Sequence, residues 1–256
     1  MENLLHKYSF SRLGFDWIIG QGKVIQLLQG LVINGLHTFG VSFIAPYGCG
    51  KSELAKLLVK ILLCSSRKEN CEPCGICEGC LAIDRINSIC SPLSAITVHS
   101  VNSDLYFCDC PKMQIDDYRN LFRWIGSPSF FSNTNIVLLD EFHRTSSQIR
   151  DMFLIEIERY SNTKWIFCVA EDKLQNIEDS FLQRSITFRL RLPEEKDVVG
   201  LLKKICQREG IIIDDEEVFR LIALNSGYVP RVAIQNLQKL VLSGTNLTAK
   251  TVAEIL

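Results

Sequence analysis

The chain has 256 residues, 47% apolar and 22% charged, with eleven cysteines and a formal net charge of −1. That balance describes an ordinary globular protein of one large domain, or a large one and a small one. It argues against a free-standing nucleic-acid binder, which would carry a basic excess, and no apolar run reaches the ~20 residues a membrane-spanning helix needs.

The first ten residues mix Leu4, Leu5 and Phe10 with Glu2, His6 and Lys7, so they lack the apolar stretch of a secretory leader. A cytoplasmic location is therefore expected, and the cysteines read as thiols or metal ligands rather than a disulfide framework. Residues 1–40 read as helical, with Val24, Leu27, Leu28, Leu31 and Val32 on one face. Residues 41–44 are a short apolar run with the look of a buried strand. Then comes Ala45-Pro46-Tyr47-Gly48-Cys49-Gly50-Lys51-Ser52, followed by a helical pattern in which Leu54, Leu57, Leu58, Ile61 and Leu62 share a face.

Strand, glycine-rich turn, Lys-Ser and helix is the setting of a phosphate-binding loop. Gly48 and Gly50 let successive backbone N–H groups curl toward an anion, and the helix N-terminus adds a positive dipole end. Lys51 would reach the β- and γ-phosphates and Ser52 would ligate Mg²⁺. Ala45, Gly48, Cys49, Gly50, Lys51 and Ser52 are the nucleotide-binding candidates here. Ala45 stands where the pattern usually begins with glycine. A chance lysine in a strand–helix turn is the plainer alternative, and the flanking strand and helix disfavour it.

Directly after that helix come Cys64, Cys71, Cys74, Cys77 and Cys80. Two overlapping Cys-x-x-Cys turns bring sulfurs together at the ~2.3 Å bond length of a tetrahedral zinc site. Cys64, Cys74, Cys77 and Cys80 are the expected ligands of a structural zinc, Cys64 being preferred to Cys71 because a helix end can fix it. A redox motif and free thiols are the alternatives. Cys90, Cys108, Cys110, Cys168 and Cys206 lack ligand spacing and read as small apolar groups.

Further on, residues 94–100 read as a strand, 114–125 as a helix with Ile115, Tyr118, Leu121, Phe122 and Ile125 inward, and 126–129 as a loop. The apolar run 136–139 ends in Asp140-Glu141, as a central parallel strand should when carboxylates face a ligand crevice. Asp140 would hold Mg²⁺ and Glu141 would polarise an attacking water. Residues 152–155 open another helix, 165–170 form a strand, Arg184 follows a short helix, and 186–190 read as an edge strand. Beyond Leu192-Pro193 the pattern is helical throughout, which divides the chain into an α/β domain, 1–192, and a small helical domain, 193–256.

These motifs together resemble the clamp-loader ATPase subunits of bacterial DNA polymerase III, of the gamma/tau and delta-prime type, in the AAA+ superfamily. The likeness runs from Phe15-Asp16-Trp17-Ile18-Ile19-Gly20-Gln21 to the end of the chain. It includes the phosphate loop, the cysteine cluster after its helix, Asp140-Glu141-Phe142-His143, Leu182-Gln183-Arg184-Ser185 and Gly227-Tyr228-Val229-Pro230-Arg231. The cysteine cluster in that location is the most specific feature.

The resemblance implies a three-layer α/β/α P-loop domain carrying a zinc insertion at 64–80, followed by a helical lid. It implies ATP, Mg²⁺ and Zn²⁺ as cofactors. The implied function is loading of the sliding clamp on primer–template DNA, within a hetero-oligomer of other clamp-loader subunits and with DNA contacts that do not read sequence. Arg184 corresponds to the arginine that reaches a neighbouring subunit's ATP, and Arg231 to the lid arginine that senses the γ-phosphate.

Three departures stand out. Ala170, Glu171 and Asp172 replace the polar Thr or Asn expected after strand 165–170. Glu158-Arg159-Tyr160-Ser161 replaces an acidic-Pro-Pro turn. The C-terminal collar domain of the family is expected to be absent. A structural, delta-prime-like subunit that donates Arg184 and hydrolyses little is the second reading, and another zinc-containing AAA+ ATPase is the third.

Overall fold

A computed structural model describes residues 3–35, 40–86, 91–126, 134–177, 179–244 and 247–256. Cys90 and positions 127–129 of the expected loop lie outside the described residues.

The expected N-terminal helix is divided. Short α1 (Leu4–Lys7) and α2 (Phe10–Leu13) and a 3-10 turn at Phe15–Trp17 precede α3 (Gly22–Ile33). Gly14, at φ 89°, breaks the run and leaves room for the Glu72 carboxylate, which accepts from the Phe15 N–H at 2.8 Å. Of the face expected inward on α3, Leu28 and Val32 are buried but Leu27 is 64% exposed.

The central sheet takes its order from β1 (Gly40–Ala45), β2 (Leu93–Val98), β3 (Ser103–Asp109), β4 (Thr134–Asp140), β5 (Thr163–Ala170) and β6 (Ser185–Arg189). The six strands run β2-β3-β4-β5-β1-β6, parallel except for the β2–β3 edge pair. β1 is buried at every residue, and β4 at Ile136, Val137, Leu138 and Leu139, as central parallel strands covered on both faces must be. β2 ends at Val98 rather than Ser100, in a 3-10 turn closed by Asn102 at φ 48°. That turn folds β3 back beside β2, and β3 was not anticipated in the sequence.

Between the strands lie α4 (Lys51–Leu63), α5 (Glu78–Ile86), α6 (Ile115–Gly126), α7 (Ser147–Arg159) and α8 (Asp179–Leu182). α4 packs against α2, α3, α5 and the sheet, and burial extends beyond its expected face to Ala55, Val59, Lys60 and Leu63. α6 buries Tyr118, Leu121, Phe122 and Ile125 over the other face of the sheet. There Phe142, Phe153, Trp165, Phe167 and Phe181 form an aromatic cluster, with Phe142 edge-on to Phe153 at 5.2 Å and stacked on Phe181 at 4.9 Å. Such pairs add roughly 0.5–1.5 kcal/mol each beyond burial.

The remaining elements are helices: α9 (Glu195–Glu209), α10 (Glu216–Asn225), α11 (Pro230–Leu242) and α12 (Ala249–Ile255). α9 opens with a capping box between Glu194 and Asp197 and closes on Gly210 at φ 66°. Thr248 caps α12 by accepting from the Thr251 N–H at 3.3 Å. On α11 the burial falls on Ala233, Ile234, Leu237 and Leu240, with Val232 only half-buried. These helices share a core with α1, the Phe15–Trp17 turn and α4. The Trp17 ring lies 4.1 Å from the Lys204 ammonium and 4.7 Å from the Arg208 guanidinium, which ties α9 to the N-terminal segment.

α5 crosses α4 so closely that a Cβ on Gly79 would lie 1.9 Å from the Leu63 carbonyl oxygen. Gly79→Ala must therefore push α5 off the end of α4. We expect it to lower stability by about 3 kcal/mol, read as an earlier urea midpoint; a midpoint unchanged from the parent chain would contradict this packing.

No helix among the described residues is long and apolar enough to cross a membrane.

Candidate nucleotide and metal sites

The phosphate loop leaves β1 at Ala45 and enters α4 at Lys51. Gly48 at φ 80° and Gly50 at φ 87° take the left-handed turns that curl it, and Gly50 is the N-cap of α4. The first-turn N–H groups of α4 lack intrahelical acceptors and open onto the loop. Gly48 is fixed by space as well as by φ, since a Cβ there would lie 2.4 Å from Val229 Cγ1. The turn before α11 thus rests directly on the loop.

Two adjoining cavities meet there. The smaller, about 260 Å³, is lined by Tyr47, Gly48, Gly50, Lys51, Ser52, Glu53, Asp140, Glu141 and Arg231. The larger, about 470 Å³, shares Gly48, Gly50, Glu53 and Arg231 with it and extends to Tyr8, Ser9 and Arg12 of the N-terminal segment and Ile234 of α11. So five charged or hydroxyl groups named from the sequence, Lys51, Ser52, Asp140, Glu141 and Arg231, converge on one space. Cys49 is buried in the loop beside them, and burial pushes its thiol up to about 11. Ala45 is the fully buried last residue of β1.

Within the smaller cavity Lys51, Ser52, Asp140 and Glu141 are already paired with one another. The Ser52 hydroxyl donates to Asp140 Oδ1 at 2.6 Å, and the Glu141 N–H donates to the same oxygen at 3.1 Å. The Lys51 ammonium sits 2.7 Å from Glu141 Oε1 and 4.8 Å from the centre of the Tyr47 ring. Glu141 has a left-handed backbone, φ 54°, and the buried Phe142 behind it anchors that turn in the aromatic cluster. Non-glycine residues held this way cluster at functional sites.

His143 follows, buried under the loop. Its Nδ1 accepts the Ala170 N–H at 3.2 Å, and its Nε2 lies 3.1 Å from Tyr47 Oη and 3.5 Å from Glu141 Oε2. Burial holds the imidazole below its usual pKa, Glu141 opposing and Lys51 reinforcing that shift. Glu171 and Asp172, the acids that replace the expected polar residue, are exposed and do not line the small cavity.

Sequence reasoning assigned no role to Tyr47, His143, Glu53 or residues 8–12. Glu53 is a half-buried carboxylate. Burial raises its pKa, but Lys56 and the Ser9 and Ser11 hydroxyls outweigh that, and the net shift is downward. Its contacts to Ser9 and Ser11 link α4 to the N-terminal segment. Only the spacing of α4, which puts Glu53 beside Ser52, hinted at this.

Arg184 stands apart, lining neither cavity. Its Nε meets Glu158 Oε1 at 2.6 Å and its Nη1 donates to the Ser180 carbonyl at 2.7 Å, between α8 and β6.

The cysteine cluster lies at the far end of α4. The sulfurs of Cys64, Cys74, Cys77 and Cys80 all fall within 4.8 Å of one another, with Cys74–Cys80 and Cys64–Cys77 both at 3.9 Å. Thiolates bound tetrahedrally at zinc lie about 3.8 Å apart. The Cys74 N–H points at Cys64 Sγ at 3.3 Å and the Cys77 N–H at Cys74 Sγ at 3.4 Å, an arrangement that favours thiolates. Burial raises the Cys77 thiol, but N–H groups of Cys80 and Ser65 outweigh it and bring it down to about 6. Burial holds Cys80 well above the thiol range. Four sulfurs this close cannot all ionise without a cation between them, so the donor set fits Zn²⁺. Cys71 lies outside the group, buried, its Sγ 3.9 Å from the Gln29 carbonyl. Cys108, Cys110, Cys168 and Cys206 are buried singly among apolar side chains.

A five-strand parallel core with one antiparallel edge strand, a phosphate loop after its penultimate strand, acids on a central strand and helices resting on the loop define an AAA+ ATPase fold. Solved structures agree. The RuvB Holliday junction branch migration motor of Thermotoga maritima matches with a TM-score of 0.64 over 96% of this chain and 72% of that one, at 15% identity. Domain III of the replication initiation protein DnaA from the same organism matches at 0.61 over 98% and 95%, at 14% identity.

Sequence comparison narrows this further. Residues 20–191 match the family described as DNA polymerase III, delta subunit, and the chain belongs to that family. DNA polymerase III subunit gamma/tau of Mycobacterium bovis is 25% identical over 88% of this chain and 37% of its own length. DNA polymerase III subunit gamma of Buchnera aphidicola is 26% identical over 94% and 61%. Protein STICHEL-like 2 of Arabidopsis thaliana is 24% identical over 93% and 26%. The chain thus spans between a quarter and three fifths of the length of these relatives.

Proposed function

We propose that the chain is a clamp-loader ATPase subunit of a replicative DNA polymerase complex. The observation that carries this is the convergence of Lys51, Ser52, Asp140, Glu141 and Arg231 on one cavity beneath the α10–α11 turn. On this reading residues 1–192 are the nucleotide-binding domain and 193–256 its lid. The loop N–H groups and Lys51 bind the β- and γ-phosphates, and Arg231 approaches from the lid. Ser52 and Asp140 hold Mg²⁺, which would supply charge neutralisation between the phosphates. The adjoining larger cavity takes the base and ribose. Glu141, freed from Lys51, orients and polarises the attacking water.

Arg184 acts outside its own site. Its half-exposed position outside both cavities supports presentation to a neighbouring subunit's nucleotide, with Glu158 holding it until that neighbour docks. Zn²⁺ in the four-cysteine site is structural, with no open ligand position. The partners are other clamp-loader subunits, the sliding clamp and the phosphate backbone of primed DNA. With a net charge of −1, DNA affinity of the isolated chain should be weak and salt-sensitive.

Steady-state ATP turnover in the presence of partner subunits and primed DNA tests this reading, comparing the parent chain with Glu141→Gln. The expected result is a fall in kcat of roughly 10²–10⁴-fold with nucleotide binding retained. Binding without turnover in the parent assembly would favour the arginine-donating, non-hydrolysing subunit. The absence of the expected polar Thr or Asn after β5, where Ala170, Glu171 and Asp172 stand, is the feature that supports that second reading.

A further inference from the structure

The geometry points to a role for His143 and Tyr47: we infer that His143 is the positioning residue of Glu141, and that Tyr47 keeps it engaged elsewhere until Lys51 leaves. This deepens the ATPase reading above and rests on it.

The tautomer follows from one contact. A backbone N–H can only donate, so the Ala170 N–H at 3.2 Å requires a bare Nδ1 on His143 and places the ring proton on Nε2. That proton has two acceptors in reach. Tyr47 Oη is at hydrogen-bond distance, 3.1 Å, while Glu141 Oε2 at 3.5 Å lies just beyond it. Glu141 meanwhile has its strong partner in Lys51, at 2.7 Å from the other carboxylate oxygen. The same ammonium sits over the Tyr47 ring. Lys51 therefore holds both Glu141 and Tyr47, and His143 bridges the two.

A triphosphate in the loop competes for Lys51. When the ammonium moves to phosphate, Glu141 Oε1 loses its partner and Tyr47 loses the cation over its face. The His143 N–H is then the nearest buried donor to Glu141. A shift of about half an ångström completes the hydrogen bond to Oε2 and leaves Oε1, the oxygen Lys51 vacated, facing the cavity. A neutral donor suits this task, because it fixes the carboxylate without the loss of basicity that a cationic partner imposes. Ala170 holds the ring on the far side, so the donor cannot swing away. The α4 end of the site thereby reports its occupancy to Glu141 through two side chains, one of which, Tyr47, belongs to the loop itself.

The hand-over is testable without nucleotide. Long-range ¹⁵N–¹H NMR of the ¹⁵N-histidine-labelled chain, with His143 assigned by its disappearance in His143→Gln, should show a bare Nδ1 and a protonated Nε2. Lys51→Met should shift the His143 Nε2 resonance, and adding Glu141→Gln to that variant should cancel the shift. A protonated Nδ1, or no shift in Lys51→Met, would overturn the inference.

Turnover gives the second arm, in the assembly with partner subunits and primed DNA. His143→Ala should lower kcat by roughly 10–100-fold, the cost of a misplaced catalytic group, with nucleotide Kd within twofold of the parent. His143→Gln carries an amide N–H near the Nε2 position and should recover part of that loss. A kcat for His143→Ala within twofold of the parent would make His143 a packing residue only. Absence of turnover in the parent strikes the ATPase reading instead, and the NMR result then decides the hand-over alone.

Discussion

Lys51→Ala should abolish Mg·ATP binding by the purified chain, raising Kd at least ~100-fold by isothermal titration while leaving the far-ultraviolet circular dichroism unchanged. Two effects act together. Lys51 is 5% exposed and is the cation lining the smaller cavity from the loop itself, so the phosphates lose a charge-assisted contact worth roughly 1.5–3 kcal/mol. Removing it also leaves Glu141 Oε1 without its 2.7 Å partner, and a carboxylate oxygen no longer neutralised by a cation then faces an incoming polyanion. Glu141→Gln makes the converse case. It frees Lys51 from a competing partner, so nucleotide should bind that variant at least as tightly as it binds the parent. Unchanged affinity in Lys51→Ala would mean that phosphate is not held in this loop.

The second large effect concerns metal. The purified chain should carry about one zinc per molecule by elemental analysis, and Cys77→Ser should lose it. With three thiols left converging and no cation, α5 loses its tie to the end of α4. The melting temperature should fall by about 10 °C, corresponding to ~3–4 kcal/mol for a chain of this size. Nucleotide binding should survive at temperatures where the variant stays folded, because the cluster and the phosphate loop sit at opposite ends of α4. Loss of ATP binding in a folded Cys77→Ser chain would show that the cluster does more than fasten two helices.

What was legible in the sequence was what chemistry concentrates. Glycines beside Lys51, acids after the run 136–139 and cysteines at two-residue spacing each interrupt an apolar pattern, and each interruption marked its element. β3 escaped notice because Asp104 and Asp109 bracket it, and a run with polar ends reads as loop; its burial comes from pairing with β2 and β4. α5 was masked by the cysteine motif that overlaps its first turn. Leu27 was assigned inward by periodicity, but α3 reaches the core through buried Leu28 and Val32 and through partly buried Val24, Ile25 and Leu31.

The candidate site divides in the same way. Lys51, Ser52, Asp140 and Glu141 could be named because two short motifs carry them. Tyr8, Ser9 and Arg12 could not, since their contacts to the site and to α9 span separations such as the 201 residues between Tyr8 and Glu209. Nothing local in a sequence signals a partner at that distance. His143 was in plain view in the acidic motif, but its task depends on Ala170, the last residue of another strand.

α4 is packed by α2, α3, α5 and the sheet, its first turns opening onto the larger cavity, and Lys51 and Cys64 stand at its two ends. A rod held by three helices and a sheet does not slide or roll by itself. On the proposed reading, the loop at its head is the anvil, and α11 with its N-cap Val229 and Arg231 is the part that would move against it. On the proposed ATPase reading, a stroke drawn from nucleotide would be delivered by that helix and by the face bearing Arg184, with the four-cysteine cluster fastening the tail of α4.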